Sequence, residues 1–328
     1  MKGTVKIGHI EVSPPVFLAP MAGITDCPTR LICREFGAPF AFTEMVPAAA
    51  FARGNIQPEV MSALKTHPLD RPLGIQIFGY DPDEMAKAAG MLAYLEADVI
   101  DINMGCPVKK IVKNGSGAAI MNDPERARLM VAKTRKAVSV PLTVKMRTGW
   151  DDDSVNAVEI AKICEGEGAD AVTIHGRTRS RWFIGEPDFD TIAKVVEAVK
   201  IPVIGNGGIN SVEEAESMME RTGCAGVMIA RAMRGDPWIF ERLKNDDPDR
   251  TPSMEERARV MLRHFNYMLD YFPERKAAVE MRKHLCWYSR GIPSAVQLRR
   301  ELQHVERPEK VRELVEQYFL STPVEESA

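Results

Sequence analysis

Cys106 is the first residue in this chain whose surroundings suit chemistry. It falls in Val99-Ile-Asp-Ile-Asn-Met-Gly-Cys-Pro107, where an apolar, β-branched run stops at Asn103, Gly105 and Pro107. Such a run makes a buried strand, and the residues that end it suit a tight turn. A reactive group at the C-terminal tip of a buried strand is where a parallel α/β barrel places its chemistry. With a pKa of about 8.5 a thiol is mostly protonated at neutral pH, so it can serve as an acid. No base is obviously paired with Cys106, which weakens an acyl-transfer reading. Lys109 and Lys110 follow closely, and if they turn toward the thiol they lower its pKa.

Other candidates occupy similar places. Lys145 and His175 come at the ends of two further apolar runs, and Gln76 lies on a third. A lysine in an otherwise apolar strand is costly unless its ammonium finds a partner. Convergence of Lys145, Gln76 and His175 on one barrel mouth favours an anionic, hydrogen-bonding ligand. Gly205-Asn-Gly-Gly208 lacks the spacing of a dinucleotide fingerprint. It follows the seventh candidate strand, however, and Ala230-Arg231 follows the eighth. Barrels bind phosphate through backbone N–H groups at those two places, with Arg231 here as counter-charge.

Eight strands are expected to position these groups: Val16–Ala19, Phe40–Thr43, Leu73–Ile77, Val99–Ile102, Leu142–Lys145, Ala171–Ile174, Pro202–Ile204 and Gly226–Ile229. Each ends in small or polar residues. Amphipathic stretches over Asp83–Leu95, Pro124–Val138, Val155–Glu167, Phe189–Val199 and Val212–Arg221 read as helices, several with Asp or Ser start signals. Eight such units are the number for a closed (β/α)8 TIM barrel, with an open doubly wound sheet as the competing architecture. Residues 4–12 read as a hairpin lying over the barrel floor.

Beyond Trp238 the composition changes. A charged, proline-containing linker over 244–252 leads to four helical segments, about 253–272, 274–289, 294–304 and 308–320, with Pro273, Pro293 and Pro308 as breaks. Ser253 with Glu256 fits a capping box. The reading is a catalytic barrel over 1–245 and a helical domain over 246–328. Residues 275–312 hold ten lysines or arginines against four glutamates, a local excess of +6. That suits either a solvated helical face or RNA, with Trp287 and Tyr288 as aromatics able to stack on bases.

The chain as a whole, with 328 residues, 45% hydrophobic content and a net charge of −3, has enough apolar material for a sizeable core and no global sign of nucleic-acid binding. The remaining cysteines, Cys27, Cys33, Cys164, Cys224 and Cys286, are scattered without metal or CxxC spacing, so no metal is expected. Without a signal-peptide h-region or an apolar run near about 18 residues, a cytoplasmic protein that does not enter the membrane is expected.

Taken together, Ala19-Pro-Met-Ala-Gly23, Asn103-Met-Gly-Cys-Pro107, Lys145-Met-Arg-Thr-Gly-Trp150, His175-Gly-Arg-Thr-Arg179, Gly205-Asn-Gly-Gly208 and Met281-Arg-Lys-His284 resemble, in order, the tRNA-dihydrouridine synthases, most closely their bacterial B-type branch. The resemblance implies an FMN-dependent barrel fused to a helical tRNA-binding domain, with NADPH as co-substrate; a monomer is expected, though the sequence itself leaves the oligomeric state open. Pro20, Met21 and Ala22 would lie against the flavin, and Gln76 and Lys145 would bond its ring. His175 would bind the cofactor and lie close to the target base, and Asn206, Gly207, Gly208, Ala230 and Arg231 would hold the ribityl phosphate region. Cys106 matches the family's general acid. Asn103 would lie beside the target base, and Arg147, Arg177, Arg282 and Lys283 would contact the RNA.

Two positions depart from the family's pattern: Gly208, where Asp is frequent, and Ala230, where Gly is. Backbone N–H contacts survive both. The chemistry fits the residue types, since reducing the C5=C6 bond of uracil needs a hydride at C6 and a proton at C5. A cationic Lys145 would stabilise a reduced flavin ring. The uridine must leave its stack to reach a barrel mouth, and the glycine-rich Lys113–Gly117 segment is expected to close over it. A flavin-dependent reductase of a small pyrimidine-like substrate is the alternative, but it gives the basic helical tail no task. A non-catalytic RNA-binding barrel is the third possibility, which bound flavin would count against.

Overall fold

The computed structural model describes residues 1–320 apart from Glu96 and Pro293, so the break expected at Pro293 lies outside the described residues. β1 (Val5–Ile7) and β2 (Ile10–Val12) form the hairpin expected around Gly8. The barrel strands are β3 (Val16–Leu18) and β4 (Phe40–Phe42), then, after a two-residue strand β5 (Val46–Pro47) not foreseen from the sequence, β6 (Leu73–Phe78) and β7 (Val99–Met104). β8 (Leu142–Arg147), β9 (Ala171–His175), β10 (Val203–Asn206) and β11 (Gly226–Ile229) follow. All pair in parallel. β4 meets both β3 and β6, which closes eight strands into a ring, while β5 pairs only with the outer end of β6. The TIM-barrel reading holds, and the open sheet is excluded.

Helices clothe the ring. α1 (Cys27–Glu35), α2 (Ala48–Ala52), α3 (Pro58–Ala63) and α4 (Pro82–Tyr94) cover the first strands. α5 (Lys109–Val112), α6 (Pro124–Ala137), α7 (Ala157–Gly166), α8 (Phe189–Ala198), α9 (Val212–Thr222) and α10 (Trp238–Asn245) cover the rest. Their starts follow capping chemistry. Asp26, Asp81, Asp123, Asp188 and Ser211 each accept from an amide two or three residues on, meeting donors the helix leaves free. α7 starts two residues later than its apolar period implied, because Val155 bridges to Gly149.

The strands are apolar on the outer face that the helices cover and at the floor of the barrel, while buried polar side chains gather toward the mouth. Ile100, Ile102, Val144 and Val172 pack in the cluster shared with the helices. Phe17, Phe40, Phe42, Ile204 and Met228 form a separate cluster with Val5, Ile7 and Val12, so the hairpin closes the barrel floor. A Cβ on Gly74 would lie 2.4 Å from Phe42 Cδ1, and the glycine leaves that ring its place in the interior.

Several strands run further than their apolar cores suggested. Asn103 and Met104 still pair with Lys145 and Met146, and β10 includes Asn206. The turn at Cys106 therefore begins at Gly105 rather than at Asn103.

After residue 253 come α11 (Met254–Tyr271), α12 (Glu274–Tyr288), α13 (Ala295–Leu302) and α14 (Pro308–Val315), then one wide turn over Glu316–Leu320. Their core centres on Met261, Phe265, Met281, Leu285, Leu298 and Leu314, and takes in Ile32 of α1 and Trp238 of α10. The Ser253 hydroxyl caps α11 through the Glu256 amide at 3.1 Å, but the reciprocal half of the capping box is absent. The Glu256 carboxylate instead accepts from Trp238 Nε1 at 2.8 Å, satisfying a buried indole N–H. Among the described residues, no helix is long and apolar enough to cross a membrane.

Two histidines are sealed at this junction. His264 meets Thr29 Oγ1 at 3.3 Å and the Tyr288 hydroxyl at 3.4 Å, with the His284 ring 4.4 Å away. Burial pushes His264 down to about 3 and His284 well below the usual histidine value. Their protonation is thus favoured in the unfolded chain below pH ~6.5, so stability is lost as pH falls, by about 1.4 kcal/mol per histidine per unit. Buried Asp26, with its pKa raised, acts in the opposite sense. Urea midpoints between pH 7 and 5 are expected to fall more steeply for wild type than for His264→Gln/His284→Gln. Equal slopes would contradict this.

Candidate active site

A cavity of about 390 Å³ opens at the C-terminal ends of the barrel strands, where such folds bind ligands. Every barrel residue nominated from the sequence lines it: Pro20, Met21, Ala22, Gln76, Asn103, Cys106, Lys145, Arg147, His175, Arg177, Asn206, Gly207, Gly208, Ala230 and Arg231. Register explains why. Gln76 faces Asp101, which faces Thr143. Asn103 faces Lys145, one tier higher. Arg147 faces His175, which faces Asn206, higher still.

Cys106 sits in a turn held from four directions. Its amide and that of Gly105 donate to Asn103 Oδ1 at 2.9 and 3.1 Å. Ala118 N donates to the Cys106 carbonyl at 3.1 Å, and Arg147 Nε donates to the Gly105 carbonyl at 2.8 Å. Burial pushes the thiol pKa up, opposed by the Val108 amide, Arg147 and Lys145. Lys109 and Lys110 are exposed and do not act on it, which corrects the expectation from their sequence proximity. Lys113–Gly117 is not an open flap. It continues from α5, and Ser116 and Gly117 are buried beneath the turn. A Cβ on Gly117, at φ +60°, would come within 2.8 Å of the Cys106 carbonyl oxygen.

Lys145 donates to Asn206 Oδ1 at 3.1 Å, while Asn206 Nδ2 donates to the Met228 carbonyl at 2.7 Å. Burial, with Arg147 nearby, lowers Lys145 to about 8. His175 is pushed well below its usual range by burial and by Lys145, Arg147, Arg177 and Arg231, so it is neutral. Arg177 Nη1 lies 3.4 Å from His175 Nε2. Because arginine only donates, Nε2 accepts and the ring proton sits on Nδ1. Gly207 and Gly208 take φ of +109° and +73°. A Cβ on Gly208 would lie 2.7 Å from Pro187 Cγ, which accounts for glycine there.

Arg231 has no carboxylate partner among the described residues and stacks on Phe183 at 4.9 Å. A free guanidinium beside two glycines suits a phosphate. A buried ammonium with one protein acceptor suits a polar ring. This donor set fits a flavin mononucleotide. Among the described residues, no group of histidine, cysteine and acidic side chains could hold a metal ion.

Sequence reading missed Met45, Trp182, Phe183 and Arg234, which also line the cavity. Arg181-Trp-Phe-Ile184 was a visible signal, an aromatic run without helical period after β9. Arg147 has a task beyond the one expected of it. Its Nη1 donates to the Thr178 and Trp182 carbonyls at 2.9 and 2.7 Å, holding Trp182 at φ +51°.

Arg282 and Lys283 do not line the cavity. Arg282 Nε donates to the Val305 carbonyl at 2.7 Å, and Lys283 pairs with Glu280. Tyr288 is buried in the helical core, so it is not a stacking platform, whereas half-buried Trp287 lies 5.2 Å below the Arg234 guanidinium.

Comparison with known proteins gives the chain a family. The family model described as "Dihydrouridine synthase (Dus)" matches residues 17–322. A "Probable tRNA-dihydrouridine synthase" of Rickettsia prowazekii is 37% identical over 321 residues, covering 97% of this chain and 98% of the relative. The "tRNA-dihydrouridine synthase B" of Pasteurella multocida is 38% identical over 325 residues, covering 96% of each. Among solved structures, histamine dehydrogenase from Rhizobium sp. 4-9 superposes with a TM-score of 0.56 at 14% identity, over 80% of this chain and 50% of that one, a likeness of fold alone. From residue 17 onward, barrel and helical region alike, the chain belongs to the dihydrouridine synthase family, most closely its bacterial B-type branch.

Proposed function

We propose that the chain reduces the C5=C6 bond of uridines in tRNA, with FMN in the barrel mouth, NADPH as its reductant and Cys106 as proton donor to C5. Family membership makes it a flavin-dependent oxidoreductase that acts on tRNA uridines. The observation that carries the finer reading is one cavity joining a thiol held protonated, a buried lysine and a glycine–arginine cradle. When bound, the reduced flavin supplies the hydride to C6. The residues do the rest. Pro20, Met21 and Ala22 would lie against the flavin ring, and Gln76 and Lys145 would hydrogen-bond it. Asn206, Gly207, Gly208, Ala230 and Arg231 would hold the phosphate end.

Neutral His175 offers Nδ1–H without adding charge. Asn103 faces the base from beside Cys106, whose Sγ–H bond breaks as the C5–H bond forms, and solvent then returns the proton. Arg177 donates to the Gly185 carbonyl at 2.9 and 2.6 Å, which shapes the mouth, and its remaining N–H groups would contact the RNA. Arg282 ties α12 to the segment after α13 through the Val305 carbonyl, and Arg282 and Lys283 would contact the RNA outside the cavity.

The test is dihydrouridine content, by nucleoside mass spectrometry, after incubating unmodified tRNA transcripts and tRNA from a dihydrouridine-lacking strain with protein and NADPH. Product in either RNA supports the reading. Flavin-coupled NADPH oxidation with no product in both would favour a small pyrimidine-like substrate.

Arg234 at the mouth and Arg290 just past the end of α12 add cations, and burial, with the Arg290 and Arg231 charges nearby, lowers the Arg234 pKa. Arg234→Ala and Arg290→Ala are each expected to reduce the slope of log affinity for tRNA against log salt by about 0.7 to 0.9. An unchanged slope would remove that arginine from the interface.

A further inference from the structure

Asp101 lies below the cavity and does not line it. It is 1% exposed, a depth at which a carboxylate is costly unless its oxygens are met. Both are met. Thr143 Oγ1 donates to Oδ1 at 2.6 Å, and Gln76 Nε2 donates to Oδ2 at 2.6 Å. The two donors come from the flanking strands at the same rung of the ladder.

A carboxylate only accepts, so Gln76 must turn its amino group toward Asp101. Its carbonyl oxygen then faces the other way, where it accepts from Asn103 Nδ2 at 2.8 Å. That commits Asn103 in turn to presenting Oδ1 to the Gly105 and Cys106 amides. A free carboxamide can be turned either way. In this chain each turn is dictated by the link before it, and the first link is the carboxylate. Reversing any one places two donors or two acceptors face to face.

We propose that Asp101 is a positioning residue that, through Gln76 and Asn103, sets the direction of the hydrogen bonds fixing the Cys106 turn. It touches neither cofactor nor base, and its role rests on Cys106 being the proton donor. Thr143 is the second part of the device, because a hydroxyl can both donate and accept. Asp101→Asn keeps its oxygen toward Gln76 and turns its amino group to Thr143, which reverses to receive it. The chain of directions survives. Asp101→Leu leaves Gln76 free to turn, and Asp101→Asn/Thr143→Val strands the new amino group beside a methyl, at nearly unchanged volume.

Two readouts test this. One is turnover with tRNA, separated into kcat and KM. The other is the rate at which iodoacetamide alkylates Cys106 in the folded flavoprotein, followed by peptide mass spectrometry, which needs no turnover. Loss of the turn's anchor lets the thiol relax toward water and ionise more readily. Asp101→Asn is expected within about threefold of wild type in both readouts, while Asp101→Leu and the double variant lose about tenfold or more in kcat at similar KM. The same two variants should alkylate several-fold faster.

If Asp101→Leu fails to fold, the double variant alone decides. Asp101→Asn behaving like the double variant would overturn the proposal, as would an alkylation rate equal in all folded variants. A wild type that makes no dihydrouridine would defeat the proposed function, while the alkylation order would still test Asp101.

Discussion

Cys106→Ala is expected to lower dihydrouridine formation by about 10² to 10⁴, the range for loss of a positioned acid, with flavin content and tRNA affinity near wild type. The substitution removes only the sulfur. The bonds holding the turn run through the main-chain amide and carbonyl of residue 106, and both persist. The loss should therefore fall on kcat and leave KM in place, the signature of an interaction made in the transition state. NADPH-driven reduction of the flavin, read by absorbance, should be unaffected because no proton to uracil is involved. Near-normal turnover would strip Cys106 of its role. Loss of flavin or of tRNA binding would show the thiol to be structural instead.

Lys145→Met should have the next largest effect, on the other half of the reaction. A fixed ammonium in a water-poor site stabilises charge arriving on a ring beside it, and losing such a group costs about 10² to 10³ in rate. The pH dependence identifies the group. With Lys145 lowered to about 8, the ammonium predominates below that pH and is lost above it. Flavin reduction by NADPH in wild type should thus decline as pH rises through about 8, and in Lys145→Met the profile should lack that limb. Stopped-flow absorbance across pH 6 to 10 checks this. An alkaline limb that survives in the variant would assign it to another group.

Most of the barrel was legible because period and punctuation agreed: short β-branched runs, each closed by small or polar residues, with capped amphipathic stretches between. The strand ends were not. Asn103, Arg147, His175 and Asn206 are polar residues on the last rungs of buried strands, and a linear reading assigns polarity to loops. In a barrel mouth the interior is itself a polar surface, so the ladder continues through them.

Direction was equally hidden. Lys109 and Lys110 are near Cys106 along the chain yet turn to solvent, while the cations that act on it, Arg147 and Lys145, arrive on the adjacent strand. Burial in the tail was also unreadable. Tyr288 belongs to the core of α11 to α14, and Trp287, one residue earlier, reaches the barrel.

Arg147 joins the Cys106 turn to the segment that follows β9. One guanidinium holds the carbonyl behind Cys106 and two carbonyls of the segment bearing Trp182 and Phe183. The Cys106 turn and the aromatic rim thus share one rivet in Arg147. With Cys106 as the proposed proton donor, a nucleotide pressing on the rim would draw through Arg147 on the turn that carries the thiol, so seating of the substrate and alignment of the acid would become one mechanical event.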